Sequence, residues 1–410
     1  MGVNARHVAY RAYQSGVGLA MRAVEPDQEM IFGPGTLLEI PGRLLEENVE
    51  RVLVATTTGT MRRGTLDELL DKLDEAGIVP TVFCDVMPDP TDECAAKLAA
   101  MYRNFGCQAM VAVGGGSVMD CAKAAAVLVE KPGSSISQFA GMLKVRCRIP
   151  HIFAVPTTAG TGSEYTPCAV ITDTSVVPHA KITIDDYCLV PRLAVLDPQL
   201  TLSLPPRTTA QSGMDALCHA VEAFINLKPS RLVAHHAVAA VRMIYANLPL
   251  AYLDGNDIEA RGQMLLASYS AGIAFGNNMV GYVHAIAHGI GALYGVPHGE
   301  AVAIVLPYVL EQYGESAKKA LAELARALGL DRELDAEEKD DDAELARRLI
   351  QSIRDLEAML GIPTCVEGLC REDFDTIVDR AINEANPNYP VPQIWDRDEF
   401  EQVLTRLLPL

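Results

Sequence analysis

The chain has 410 residues, of which 53 are acidic and 34 are basic, so its formal net charge at pH 7 is −19. This length is sufficient for two or three domains with a large buried core. The acidic balance argues against nucleic-acid binding and against docking on an anionic membrane, because both need a basic face.

The first part of the chain, up to about residue 205, alternates strand patterns with helix patterns. The predicted strands are Arg51–Thr56, Pro80–Phe83, Ala109–Val113 and Ile152–Val155, and the predicted helices between them are Leu66–Glu75, Asp92–Phe105 and Val118–Glu130. This alternation is typical of an α/β domain with a parallel sheet flanked by helices. Ligands of such sheets bind at the carboxyl ends of the strands.

Two loops at predicted strand ends have the composition of a ligand site. Gly114-Gly115-Gly116-Ser117 precedes a helix, where glycines let the backbone approach a phosphate and the helix terminus offers N–H groups. The loop that contains Thr157, Thr158 and Thr161 reads PTTAGTGSE. The alternatives are a tight turn and a plain Ser/Thr/Gly loop. The two loops together favour a dinucleotide site, although neither is the G-x-G-x-x-G motif.

After residue 205 the sequence pattern changes to long helical stretches rich in Ala, Leu and Met. The predicted helices are Gly213–Ile225, Leu232–Ala246, Ile258–Ala274 and Ala317–Leu328, so a mostly helical second domain is expected from residue 206 to 410. One biased segment, Asp331–Glu344, carries nine acidic residues. It is predicted to be a solvated loop or helix end, with an acidic docking site as the alternative.

Histidines are concentrated in the helical part. Asp215 and His219 are four residues apart, as are His284 and His288, so each pair projects from one face of a predicted helix. His298 follows in a Pro-His-Gly turn. One carboxylate and several imidazoles suit a divalent metal such as Fe(II) or Zn(II). The alternative is a set of hydrogen-bonded core histidines.

The ten cysteines contain no Cys-x-x-Cys pair and no spacing typical of a zinc or disulfide framework. We therefore expect reduced thiols in a cytoplasmic protein. No segment has the apolar length of a signal peptide or a membrane span.

Six strings occur in order along the chain: GGGSVMDCAK, PTTAGTGSE, LDPQLTLSLP, TAQSGMDALCHAVEA, GYVHAIAHGIG and VPHGEAVAI. Together they resemble the iron-containing (group III) alcohol dehydrogenase family, relatives of lactaldehyde reductase and 1,3-propanediol dehydrogenase. The resemblance runs from about Phe32 to Pro307 and continues more weakly to the C-terminus. It implies a dehydroquinate synthase-like architecture: an α/β NAD(P)-binding domain over residues 1–205, an all-α metal-binding domain over 206–410, and an active site in the cleft between them.

The resemblance also implies roles for individual residues. The metal ligands would be Asp215, His219, His284 and His298, and His288 would be the catalytic residue that moves a proton near the nicotinamide. The cofactor-binding residues would be Thr57, Asp89, Gly115, Gly116, Ser117, Thr157, Thr158, Thr161, Thr166, Lys181 and Leu200. The cofactors would be NAD(P) and Fe(II), with Zn(II) as the alternative metal.

Three positions depart from the family pattern. Many NAD-preferring members have an aspartate where this chain has Thr57. A carboxylate there would bind the ribose hydroxyls and repel a 2′-phosphate, so its absence makes NADP use plausible. The family's Pro-Asn-Pro-Thr contains Asp89 here, and a frequent asparagine is replaced by Val302.

The expected reaction is reversible hydride transfer between a primary alcohol or aldehyde and the nicotinamide, in a homo-oligomer of two or more copies. The metal would act as a Lewis acid on the substrate oxygen. Same-fold relatives remain alternatives, namely glycerol dehydrogenase-like, maleylacetate reductase-like and dehydroquinate synthase-like enzymes. A non-catalytic scaffold that binds nucleotide or metal is the alternative from another class.

Overall fold

The computed structural model describes residues 5–21, 26–176, 179–331 and 341–409. Two compact units are present, one formed by Glu25–Ser203 and the other by Leu204–Leu410 together with Met1–Val24. The first is the α/β part and the second is helical. Most of the acidic segment predicted between Asp331 and Glu344 lies outside the described residues.

The N-terminal helix α1 (Ala5–Met21) groups with the helical unit, whereas the sequence-based division placed it in the α/β domain. Its Arg11 donates hydrogen bonds to the backbone oxygens of Val391 (2.7 Å) and Pro392 (3.1 Å). These partners are about 380 residues away along the chain, so no local pattern indicates the contact.

The described part of the α/β unit contains nine strands and five α-helices. The strands are β1 (Glu29–Phe32), β2 (Arg51–Ala55), β3 (Val79–Phe83), β4 (Ala109–Gly114), β5 (Gly141–Met142), β6 (His151–Pro156), β7 (Cys168–Asp173), β8 (Ala180–Asp185) and β9 (Leu193–Leu196). The helices are α2 (Ile40–Glu46), α3 (Thr58–Arg62), α4 (Asp67–Glu75), α5 (Asp92–Asn104) and α6 (Gly116–Glu130).

Six of these strands form one sheet in the order β1-β9-β6-β4-β2-β3, and all neighbouring pairs are parallel. The parallel sheet with flanking helices confirms the predicted fold class of this unit. A second sheet, β5-β8-β7, contains an antiparallel pair and was not predicted. The four-residue strands β1 and β9 were also missed, because such short apolar runs resemble loop segments.

The main sheet separates two apolar layers. Leu53 of β2 and Met110 of β4 face one layer, and Val54 and Val111 face the other. Successive strand residues point to opposite faces, so a strand buried on both sides is apolar at every position. This burial explains why β2 and β4 were recognisable as continuous apolar runs.

The helical unit contains nine further described helices after α1. They are α7 (Pro206–Ile225), α8 (Arg231–Leu253), α9 (Ile258–Asn278), α10 (Tyr282–Tyr294), α11 (His298–Tyr313), α12 (Lys318–Leu328), α13 (Asp342–Met359), α14 (Phe374–Ala385) and α15 (Arg397–Arg406). This all-helical arrangement agrees with the predicted class. Among the described residues, none of the helices has both the length and the apolar character needed to cross a membrane.

Helix α7 occupies the centre of this unit and is almost wholly buried from Gly213 to its end. A Cβ atom at Gly213 would lie 2.3 Å from a methyl carbon of Leu248, so α7 and α8 approach closely there. Helix α7 starts seven residues before the predicted position, at Pro206. Proline is favoured in the first helical turn because its missing N–H has no partner there.

Candidate metal and cofactor site

Three helices of the helical unit bring one carboxylate and several imidazoles together. Asp215 and His219 lie one turn apart on α7, His284 lies on α10, and His298 is the first residue of α11. The Nε2 atoms of the three histidines lie 3.8, 3.7 and 3.4 Å, in that order, from Oδ1 of Asp215. His288 lies one turn beyond His284, and its ring stacks on that of His298 at 5.1 Å between centroids.

Two atoms at the centre of this cluster, Oδ1 of Asp215 and Nε2 of His284, are buried and have no hydrogen-bond partner among the residues that the structure describes. Their residues are only 3 % and 2 % exposed. Leaving buried polar atoms unpaired costs about 1–3 kcal/mol each, and a cation bound between them would remove that cost. The donor atoms of Asp215, His284 and His298 all lie within 4.8 Å of one another. An oxygen and imidazole nitrogens therefore fit a divalent first-row metal here.

Glu222 fixes the orientation of His284. Its Oε2 lies 2.5 Å from Nδ1 of His284, and its Oε1 accepts a hydrogen bond from the backbone N–H of Val283 at 2.8 Å. A Cβ atom at Gly281 would lie 2.7 Å from that Oε1, so glycine lets the carboxylate approach α10. A carboxylate on Nδ1 holds a proton there, so the neutral ring has its Nε2 lone pair directed at Asp215.

The position of His298 depends on close packing of α11 against α7. A Cβ atom at Gly299 would lie 2.4 Å from the backbone oxygen of Gln211, which is far inside contact distance. The Nε2 atom of His298 can reach Asp215 only while this approach is kept. Its side chain remains 40 % exposed, the most open of the three imidazoles beside Asp215.

Electrostatics at the cluster favour a cation. Burial raises the pKa of Asp215, but the neighbouring His219 and His298 outweigh this and hold the pKa well below its usual range. Burial lowers the pKa of His284, but Glu222 and Asp215 reverse the shift and raise that pKa to about 9. A metal ion needs the neutral imidazole, so binding would release a proton from His284.

A second carboxylate–histidine pair lies beside the cluster. Nδ1 of His288 lies 2.8 Å from Oε1 of Glu384, which also accepts a hydrogen bond from the hydroxyl of Tyr389 at 2.9 Å. The side chains of His288 and Glu384 are 31 % and 32 % exposed. A proton on this imidazole can therefore exchange with solvent.

In the α/β unit, the two predicted loops meet at the carboxyl ends of adjacent strands β4 and β6. The backbone N–H of Thr157 donates to the oxygen of Gly114 at 3.0 Å. A Cβ atom at Gly115 would lie 3.3 Å from Oγ1 of Thr158, and one at Gly116 would lie 2.9 Å from Cγ2 of Thr161. Helix α6 begins at Gly116, so its N-terminal N–H groups and dipole suit a phosphate.

Oγ1 of Thr158 is buried and has no hydrogen-bond partner within the described parts of the chain. This orphaned hydroxyl lies against the glycine loop, where a polar ligand would satisfy it. The two loops thus have the form of a cradle for a phosphorylated cofactor.

Three other predicted cofactor residues form contacts of their own. Thr57, two residues after the end of β2, accepts a hydrogen bond from the N–H of Thr60 at 3.1 Å and so caps α3. Arg63 donates to Oγ1 of Thr60 at 3.4 Å, which places its guanidinium on the same short helix. Asp89 and Lys181, both predicted near the ribose, form an ion pair of 2.5 Å.

Two family models match nearly the whole chain. "Iron-containing alcohol dehydrogenase" matches residues 27–198, and "Fe-containing alcohol dehydrogenase family, C-terminal" matches residues 209–408. The 1,3-propanediol dehydrogenase of Citrobacter freundii is 36 % identical over 87 % of this chain and 91 % of its own. The chain belongs to the iron-containing alcohol dehydrogenase family.

Two further relatives are informative about the family. The NADPH-dependent butanol dehydrogenase of Clostridium saccharobutylicum is 32 % identical over 92 % of this chain and 95 % of its own. The structure of sulfoacetaldehyde reductase from Bifidobacterium kashiwanohense in complex with NAD+ has a TM-score of 0.82. It is 29 % identical, and the match covers 93 % of this chain and 97 % of that one. This member of the family is therefore an alcohol dehydrogenase that couples alcohols and aldehydes to a nicotinamide cofactor, not a non-catalytic scaffold.

Within this alcohol dehydrogenase, two predicted cofactor residues have other partners. Oγ1 of the buried Thr166 accepts a hydrogen bond from Nζ of Lys123 at 3.2 Å. Leu200 packs against one of the two apolar layers of the α/β unit. Their roles toward a cofactor stay predictions.

Sequence reasoning missed the two carboxylates that hold the histidines. Glu222 is three residues after His219 and seven after Asp215, so helical periodicity places it on the same face of α7. This spacing could have identified Glu222 from the sequence. Glu384 lies 96 residues from His288, and nothing local in the sequence connects them.

Proposed function

We propose that Asp215, His219, His284 and His298 hold one divalent metal, Fe(II) in the first instance and Zn(II) as the alternative. The observation that carries this proposal is the convergence of the unpaired buried atoms Oδ1 of Asp215 and Nε2 of His284. When bound, such a metal supplies a Lewis acid that polarises an alcohol or carbonyl oxygen.

The chain's own residues would then position the reactants and move the proton. His288 would take the hydroxyl proton of the alcohol and pass it to solvent, since its ring is partly exposed. Glu384 would orient the ring through Nδ1.

The cofactor pyrophosphate would bind the loop formed by Gly115, Gly116 and Ser117 at the start of α6. Both NAD and NADP are proposed to be accepted. Thr57, the N-cap of α3, has no charge to repel a 2′-phosphate, and Arg63, the C-cap of the same helix, offers a positive partner. The existence of an NADPH-dependent relative supports this second cofactor.

The proposed substrates are short primary alcohols and their aldehydes, in line with the propanediol and butanol named for two relatives. The proposed localisation is the cytoplasm, and the proposed active form is a homo-oligomer. All ten cysteines are free thiols, which supports a reducing compartment.

The test is anaerobic reconstitution with Fe(II) or Zn(II), followed by assays with NAD+ and NADP+ on C2–C4 primary alcohols, glycerol and, in reverse, maleylacetate. Metal content is measured in the same samples. Asp215→Asn keeps the shape of the side chain and removes its charge, so it should abolish metal binding and turnover together. Full activity in metal-free protein would refute the metal site, and a preference for glycerol or maleylacetate would refute the substrate class.

A further inference from the structure

Two cysteines of the α/β unit face each other across neighbouring helices. Cys94 lies in the first turn of α5 and Cys121 in the second turn of α6. Their Sγ atoms are 3.7 Å apart, with the thiol of Cys121 placed to donate to the sulfur of Cys94. A disulfide has an S–S length of about 2.05 Å, so closure needs a movement of only about 1.6 Å.

The two thiols differ in access. Cys94 is partly exposed, whereas Cys121 is fully buried. The hydrogen bond from Cys121 lowers the pKa of Cys94, and the nearby Lys97 acts in the same direction. The same hydrogen bond, together with burial, raises the pKa of Cys121. An accessible thiol with a lowered pKa next to a buried thiol is the arrangement of an attacking and a resolving cysteine.

We propose that Cys94 and Cys121 form a thiol–disulfide modification site that reacts with small organic disulfides of the glutathione type. The Cys94 thiolate attacks one sulfur of the small disulfide, forming a mixed disulfide and releasing one thiolate. Cys121 then loses its proton and attacks the sulfur of Cys94, releasing the second thiolate. In total the cysteine pair loses two electrons and two protons, and one small disulfide becomes two thiols.

The site lies next to the proposed cofactor loops, and its consequence rests on the proposed function. Oγ1 of Thr91 caps α5 by accepting from the N–H of Cys94 at 3.1 Å, so the loop that carries Asp89 leads directly into the cysteine turn. Cys121 lies five residues after Gly116, at the start of α6. Drawing the two helices together would shift Asp89 relative to the glycine loop, and cofactor binding would weaken.

The experiment treats the full-length protein with oxidised glutathione and measures intact mass and peptide masses without reductant. The expected product has lost about 2 Da and contains one Cys94–Cys121 cross-link, which dithiothreitol reverses. Cys121→Ala should stop at the mixed disulfide on Cys94, and Cys94→Ser should give neither product. Cys84→Ser is the matched control, because the Cys84 sulfur contacts the carboxylate of Asp85 at 3.9 Å and should not change the result.

Fluorescence titration with NADH and NADPH, on reduced and oxidised protein, tests the consequence. Oxidation should weaken the affinity by about tenfold, the order expected for the loss of one polar contact between protein and cofactor. Failure to form the cross-link, or its formation between other cysteines, overturns the modification site. A cross-link that leaves the affinity unchanged overturns the link to cofactor binding. Reduced protein that binds neither cofactor instead contradicts the proposed function.

Discussion

Replacing Glu222 by glutamine tests how the metal cluster is held together. The wild-type carboxylate accepts from Nδ1 of His284 at 2.5 Å and from the N–H of Val283 at 2.8 Å. A glutamine of the same shape keeps the second bond through its carbonyl oxygen, but its NH₂ group must face His284. That donor requires an unprotonated Nδ1, so the imidazole proton moves to Nε2, the atom that faces Asp215.

Glu222→Gln should lower the affinity of the cluster for a metal ion. Nε2 would carry a proton where the proposed metal needs a lone pair, and His284 would also lose the negative partner that increases its basicity. Removing such an outer carboxylate typically costs about 10- to 100-fold in metal affinity. This corresponds to about 1.4–2.8 kcal/mol.

The assay is Zn(II) binding to metal-free protein in competition with a chelator, with urea unfolding of the metal-free form run in parallel. Glu384→Gln is the matched control. It makes the same exchange at a carboxylate–histidine pair outside the proposed ligands, and its metal affinity should stay within about twofold of wild type. Wild-type affinity in Glu222→Gln would refute the reasoning, as would an equal loss in both variants.

Three further changes have defined outcomes. Gly299→Ala puts a Cβ atom 2.4 Å from the backbone oxygen of Gln211. It should cost about 1–3 kcal/mol in urea unfolding and weaken metal binding through His298, so wild-type values for both would contradict the packing argument. Thr57→Asp keeps a good helix cap but adds a carboxylate. The ratio of kcat/KM for NADP+ to that for NAD+ should fall by about tenfold or more, and an unchanged ratio would count against this assignment. Burial raises the pKa of Glu357 from 4.5 to about 8 despite the opposing Arg354. The folded state therefore keeps a proton that the unfolded state releases, and stability is lost as pH rises through that window. Glu357→Gln should remove that loss when unfolding is compared at low and high pH within the window, whereas a parallel pH dependence would exclude it.

The parts of the fold that local pattern could predict were those with strong local signals. Strands β2, β3, β4 and β6 are apolar runs, and β2, β4 and β6 are buried for nearly their whole length, so they are distinct even without periodicity. Helix α1 was assigned to the wrong unit because its partners near Val391 are close only after folding. The antiparallel pair β7 and β8 lacked such a signal, since eight of its twelve positions are only partly buried or exposed.

The candidate site divides in the same way. Asp215, His219, His284 and His288 were found because helical spacing makes them neighbours in sequence and in space. Glu222 obeys the same spacing and could have been found with them. Glu384 could not, because its contact with His288 depends on the packing of α14 against α10. Some cofactor residues, such as Thr166, were assigned only from the family resemblance. The sequence around them does not indicate which side chains they contact in the folded protein.

The most direct test of the account is one activity measurement on one sample in three states: as reconstituted with Fe(II), after removal of the metal by a chelator, and after Fe(II) is restored. NAD(P)H formation from a short primary alcohol should be lost with the metal and return with about one iron per chain. Turnover that persists in the metal-free state would contradict a metal held by Asp215 and the three histidines.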